Sequence, residues 1–307
     1  MKNLINITTS SEKPTFVDAA SITAILIQPN GGILSIYTEK GMLFGLDMKS
    51  WNVDADDLLQ KLDAAGNPLT ALPMRHDGQE YPHFIAPHAV TFATLTPVSK
   101  DGTQGIIAGV KGLGWEENYE AKPEEVTALL DAVRASGTQL LAFTPAEAYA
   151  RWSTSAALYI DPASVTEIRD DGGQLNVSFA ASGTLDVQTE HYSSAAPRRT
   201  RDEEHAARAD LAAKIADANG TLTQIPGASR AVYVQPAEFS AIRFHTADDS
   251  AANKYSMMLE RPKTAENPYR EAVRVSFNTS AAREAAFQEL LAASQAPAAK
   301  KAKPPQP

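Results

Sequence analysis

Four ten-residue segments share one pattern, and a chain that repeats itself must fold as units whose neighbours complete each other's core. Phe16–Ile25, Phe84–Ala93, Tyr159–Ile168 and Tyr233–Ile242 each run from an aromatic through an aliphatic and two turn-forming positions to an apolar residue followed by Thr or Ser. The leading aromatics, Phe16, Phe84, Tyr159 and Tyr233, lie 68, 75 and 74 residues apart. Such a segment reads as a short strand, a turn set by Pro or Asp, and a second strand in which Thr or Ser alternates with apolar neighbours.

Each segment continues in the same way. In the first, Ile22–Ile27, a turn at 29–32, Ile33–Thr38, a turn at Lys40 and Gly41, and Met42–Leu46 spell a meander. In the third, Val165–Arg169, a turn at 170–173, Leu175–Phe179 and Thr184–Thr189 follow the same order. Helical spacing comes next: Leu58, Leu59 and Leu62 behind a capping Asp54, then Val126, Leu129, Leu130 and Val133 behind Pro123. The later helices carry Leu211 and Ile215, then Phe287, Leu290 and Leu291 with Thr279 or Ser280 as cap. Gly66, Gly137 and Gly220 stand where a left-handed residue ends a helix.

The expected fold is therefore α+β: four tandem ββββα repeats, antiparallel meanders each followed by a helix, with the units paired or stacked because one meander and one helix bury a single sheet face. The boundaries read as 14–82, 83–157, 158–230 and 231–294, with a basic insertion at 191–210 in the third unit. Residues 1–13 read as a flexible N-terminus and 295–307 as a flexible Lys/Pro-rich tail.

Composition narrows the chemistry. The chain has 307 residues and no cysteine, which removes disulfides, thiolate metal sites and cysteine nucleophiles, and fits a reducing compartment. No window approaches the ~20 apolar residues needed to span a bilayer, so a cytoplasmic protein without a membrane partner is expected, in the host cytoplasm if phage-encoded. The net charge of −9 is uneven: residues 225–307 hold 11 Lys/Arg against 8 Asp/Glu, a net of +3, leaving −12 on 1–224. Any polyanion needs a local patch, and the positive end is the C-terminal one.

Catalytic signatures are sparse. Gly109, Gly112 and Gly114 imitate a phosphate-cradling loop, but no helix start follows them, so a bent or bulged strand is expected. Asp54, Asp56 and Asp57 fit the first turn of a helix better than a cation site. His76, His83 and His88 lack the one-face spacing of a zinc pair. No catalytic residue, metal or cofactor is expected, and the protein is read as a non-enzyme.

Cations beside aromatics are the sharper signal, since rings stack on unpaired bases while Arg and Lys follow phosphates. Lys111 with Trp115, Arg151 with Trp152, and Lys254 with Tyr255 are such pairs. Arg198, Arg199 and Arg201 form a basic run in the expected insertion, where Asp202, Glu203 and Glu204 either neutralise it or leave it free for phosphates. These nine residues are the candidate nucleic-acid contacts.

From about Thr15 to Ser294, the four Phe/Tyr-aliphatic-x-Pro/Ala segments and their helices resemble the PUR and whirly group of single-stranded nucleic-acid-binding proteins. The chain is also similar to the single-stranded DNA-binding RNA polymerase cofactors of N4-related Pseudomonas phages. The resemblance implies single-stranded DNA as ligand, RNA polymerase as a partner, and action in transcription or replication; it assigns no individual residue. The alternative is a structural or adaptor protein whose stacked repeats form a homo-oligomer.

Overall fold

The structure, a computed structural model, describes residues 3–8, 14–28, 32–49, 53–76, 79–113, 118–150, 156–189, 200–246, 254–262 and 272–295. Over these residues it is α+β, with four helices and several antiparallel sheets. The first strands are β1 (Leu4–Asn6), β2 (Phe16–Asp18), β3 (Ile22–Ile27), β4 (Ile33–Thr38) and β5 (Gly41–Asp47), followed by α1 (Ala55–Ala64). Next come β6 (Thr70–His76), β7 (Gln79–Ile85), β8 (Val90–Leu95), β9 (Gln104–Val110), β10 (Asn118–Ala121) and α2 (Pro123–Ala135). The third stretch holds β11 (Leu141–Phe143), β12 (Tyr149–Ala150), β13 (Ala157–Ile160), β14 (Val165–Asp170), β15 (Leu175–Phe179), β16 (Gly183–Gln188) and α3 (Arg201–Asn219). The last holds β17 (Thr223–Gln224), β18 (Val232–Val234), β19 (Ala241–Thr246), β20 (Tyr255–Glu260), β21 (Ala272–Phe277) and α4 (Ser280–Gln295).

Local chemistry fixes the helix ends. Asp54 Oδ1 accepts from the backbone N–H groups of Asp56 (2.9 Å) and Asp57 (3.3 Å), so these carboxylates serve the start of α1. Pro123 opens α2, and the Glu125 carboxylate accepts from Lys122 N at 2.7 Å. Thr279 Oγ1 accepts from Ala282 N at 3.1 Å at the start of α4. Gly66, Gly137 and Gly220, with φ of 81°, 91° and 70°, end the first three helices.

One expectation needs correction. The sequence pattern groups each leading strand with the meander that follows it, whereas the structure hydrogen-bonds it to the meander before. Sheet 1 runs β5-β4-β3-β7-β6, sheet 2 β10-β9-β8-β13-β11, sheet 3 β12-β16-β15-β14-β18-β17, and sheet 4 β19-β20-β21. Phe84 lies opposite Ile25, Tyr159 opposite Ala93 and Tyr233 opposite Ile168, always the fourth residue of the strand it joins. The alternation of side chains explains why this arrangement is favourable. Phe84 packs in the α1 core while Ile85 enters the α2 core; Tyr233 packs in the α3 core while Val232 and Val234 enter the α4 core. One short strand thus joins two consecutive cores.

The helices complete this layering. The α2 core takes Ala24 and Leu26 from sheet 1 and Val90, Ile106 and Ala108 from sheet 2. The α3 core takes Phe92 and Leu158 from sheet 2, with Val177 and Val187 from sheet 3. The α4 core takes Val232 and Val234 from sheet 3 and Met257, Leu259 and Val275 from sheet 4. Helices and sheets therefore alternate along the molecule, and full burial of each Leu, Ile or Val contributes about 1.5–3 kcal/mol.

A second correction concerns the expected insertion at 191–210. From Arg201 onward it is helix, because Thr200 and Glu203 form a reciprocal cap: Glu203 N donates to Thr200 Oγ1 (3.3 Å), and Thr200 N donates to Glu203 Oε2 (2.7 Å). The acidic run Asp202–Glu204 sits at the positive end of the helix dipole, which is reason enough for its charge. Residues 191–199 lie outside the described residues, as do 1–2, 9–13 and 296–307 within the expected tails, whereas the expected flexible N-terminus is ordered at Leu4–Asn6, a strand anchored by burial of Ile5 and Ile7 in the α1 core.

Candidate nucleic-acid interface

Lys111 follows β9 directly, and its Nζ lies 3.4 Å from Glu39 Oε1, linking sheets 1 and 2. That carboxylate occupies the cation, so the structure gives Lys111 a part in the junction between units. The glycines beside it have packing roles as well. A Cβ on Gly109 would overlap the Phe92 ring, and one on Gly112 would overlap the Thr38 carbonyl oxygen. Trp115, Arg151, Trp152, Arg198 and Arg199 lie outside the described residues. Arg201 is exposed at the first position of α3.

Lys254 and Tyr255 stand at the start of β20, where the structure assembles a larger cluster. Lys254 Nζ lies 5.6 Å from the centre of the Tyr255 ring, and the Arg283 guanidinium of α4 lies 5.7 Å from the same ring. Arg283 also covers Phe244 of β19 at 4.6 Å, and Phe244 meets Phe287 edge to face at 5.3 Å. Arg283 Nη1 donates to the His245 carbonyl and to Thr246 Oγ1, both at 3.1 Å, which holds the guanidinium over the ring. Its Nε is buried with no hydrogen-bond partner among the described residues. Tyr255 is half-buried against the α4 core, so the ring most open to a ligand is Phe244, at 43% exposure.

Sequence reasoning missed a second cationic feature. A cleft of about 250 Å³ between sheets 3 and 4 is lined by Arg169, Arg230 and Arg274 together with Asp170 and Asp171. Both carboxylates are engaged elsewhere. Asp170 accepts from Gly172 N (2.7 Å) and Arg208 Nε (3.0 Å), while Asp171 Oδ1 accepts from Gly173 N and Gln174 N, both at 2.9 Å. The three arginines form no ion pair among the described residues. Arg274 lies in register with Met258 and Arg243 across sheet 4, placing the three on one face. Arg243 is tied to Glu260 at 2.8 Å, so among the described residues Arg274 is the arginine of that face without an ion pair.

Among the described residues no group of three or more His, Asp or Glu side chains is arranged to hold a metal ion. His83 is 5% exposed in β7, and burial pushes its pKa down from 6.5 to about 4. The unfolded chain therefore binds this proton more readily. Stability is full above about pH 6.5 and falls by roughly 2–3 kcal/mol as the pH drops to about 4. Unfolding midpoints of the wild type and His83→Gln at pH 7 and pH 4.5 should show the larger acid loss in the wild type. Equal losses would remove His83 from the acid response.

No helix among the described residues is long and apolar enough to cross a membrane. No protein-family model and no curated protein matches the sequence.

Proposed function

We propose that this chain is built of four ββββα repeats, of which the second, third and fourth lend their first strand to the sheet before, and that it binds single-stranded DNA through the surface of its last unit. The observation carrying this reading is the Arg283–Phe244–Phe287 cluster beside Tyr255 and Lys254: an exposed ring backed by fixed cations suits an unpaired base next to a phosphate. The cleft of Arg169, Arg230 and Arg274 adds three guanidinium groups for the phosphate backbone. Both features lie in or beside residues 225–307, which hold 11 Lys/Arg against 8 Asp/Glu. RNA polymerase as a partner belongs to the same proposal.

Titration of matched single- and double-stranded oligonucleotides at several salt concentrations tests it. Single strands should bind better, because stacking needs unpaired faces whereas phosphate attraction alone would not disfavour a duplex. Phe244→Ala should weaken binding by about 1–3 kcal/mol with little change in salt slope. Replacing Arg230 and Arg274 by Ala should flatten that slope by about one for each phosphate the variant no longer neutralises. Equal affinity for both nucleic acids, or no binding at low salt, would refute the reading.

A further inference from the structure

We infer that the chain associates head to tail with copies of itself, the β1–β2 pair of one copy closing the open β19 edge of sheet 4 in the next. Three strand pairs close three sheets within the molecule: β6–β7 joins β3, β11–β13 joins β8, and β17–β18 joins β14. In each, the second strand carries the leading aromatic and supplies the ladder to the preceding sheet. The β1–β2 pair has the same construction, with Asn6 opposite Phe16 and Ile5 opposite Val17. Among the described residues it closes no sheet, and β19 pairs with β20 alone. Among the described residues, the first unit thus holds a closing pair without a sheet and the last a sheet without a closing pair.

Side-chain burial points the same way. Val17 is buried in the α1 core, just as its counterparts Ile85, Ile160 and Val234 are buried in the cores of their own units. Phe16, whose counterparts Phe84, Tyr159 and Tyr233 each pack into the preceding core, is 58% exposed, and Leu4 beside it is 46% exposed. At the other end the core of the last unit opens at β19, where Ile242 is only half-buried while its counterparts Ile25, Ala93 and Ile168 are fully buried. The shared register sets the match. The leading aromatic always faces the residue equivalent to Ile25, Ala93 or Ile168, which in the last unit is Ile242. Phe16 of one copy therefore faces Ile242 of the next, in a strand-addition contact.

A second copy is the occupant that the strand pairs themselves point to, since its β1–β2 pair has the construction of the three pairs that close sheets 1 to 3. The chain's own segment at 296–307 is rich in Pro and Lys, residues poorly suited to a sheet ladder. A head-to-tail contact of this kind is heterologous, so it closes into a ring or continues as a filament.

Absence of cysteine makes the register directly testable. Sedimentation velocity without DNA should show species larger than a monomer that grow with concentration, and Phe16→Asp, at an exposed position, should weaken association about 10- to 100-fold. A mixture of Phe16→Cys and Ile242→Cys chains, oxidised gently, should give a disulfide-linked pair, while neither variant alone should. A monomer at every concentration would overturn the inference, as would Phe16→Cys chains linking to one another, or linkage within a single chain carrying both substitutions. The assay contains no DNA, so its outcome is independent of the nucleic-acid reading.

Discussion

Arg208→Ala is expected to lower stability by about 3–5 kcal/mol, although Arg208 stands in a stretch whose composition reads as a charged surface. The Asp170 side chain is fully buried at the end of β14, and the Arg208 side chain is 4% exposed. Arg208 Nε donates to Asp170 Oδ1 at 3.0 Å and Nη2 to the Gly172 carbonyl at 3.3 Å, joining α3 to the β14–β15 turn. His205 Nδ1 lies 3.1 Å from the other Asp170 oxygen, but its side chain is 55% exposed and cannot replace a buried guanidinium. Removing Arg208 thus leaves a carboxylate out of reach of water and without its principal countercharge. Adding Asp170→Asn to Arg208→Ala should recover a large part of the loss, since the amide still accepts from Gly172 N and carries no charge. Denaturant midpoints of the two single variants and the double variant would check this. A loss below about 1 kcal/mol for Arg208→Ala, or no recovery in the double variant, would contradict a buried charge pair.

This pair also shows where sequence stops being informative about the fold. The segment Phe16–Ile25 and its three counterparts spell short strand, turn and long strand, because period and turn chemistry are local properties. Which strand a short strand pairs with depends on partners some 60 to 70 residues away, as between Phe84 and Ile25 or Tyr233 and Ile168, and no local period encodes that. For the same reason Arg201–Asp210 reads as an insertion. It has almost no apolar face, and what anchors it as helix, apart from the cap at Thr200, is the distant Asp170.

The candidate site is legible in the sequence only at Lys254 and Tyr255, which are neighbours in the chain and remain neighbours in space. Their companions are not: Phe244 comes from the adjacent strand, and Arg283 and Phe287 come from one face of α4. Arg169, Arg230 and Arg274 lie on separate elements, each an isolated arginine in the sequence until sheets 3 and 4 bring them to one cleft. Lys111 shows the converse. It stands near aromatic residues in the chain, yet its charge is taken by Glu39 of the neighbouring sheet.

Gly112→Ala is expected to lower stability by about 2–4 kcal/mol, through strain of two kinds acting on one residue. Its φ of 79° lies in the left-handed region, where any Cβ is disfavoured, and that Cβ would also overlap the Thr38 carbonyl oxygen. A carbonyl held at the end of β4 cannot swing aside as a flexible side chain would. The surroundings are tied on every side: Gly112 N donates to the Ala181 carbonyl at 2.6 Å, Lys111 N to Ala89 O at 3.0 Å, and Thr91 Oγ1 shares a hydrogen bond with Ser182 Oγ at 2.7 Å. Sheets 1, 2 and 3 meet here, so relief at Gly112 requires one of them to shift. Gly66→Ala isolates the two effects, because Gly66 has a φ of 81° but open space around the added carbon. It should cost only the conformational part, about 1–2 kcal/mol. Thermal or denaturant unfolding of both variants would measure the difference. If Gly112→Ala costs no more than Gly66→Ala, Thr38 does not pack against this turn, and the junction between the first three sheets is looser than the structure places it.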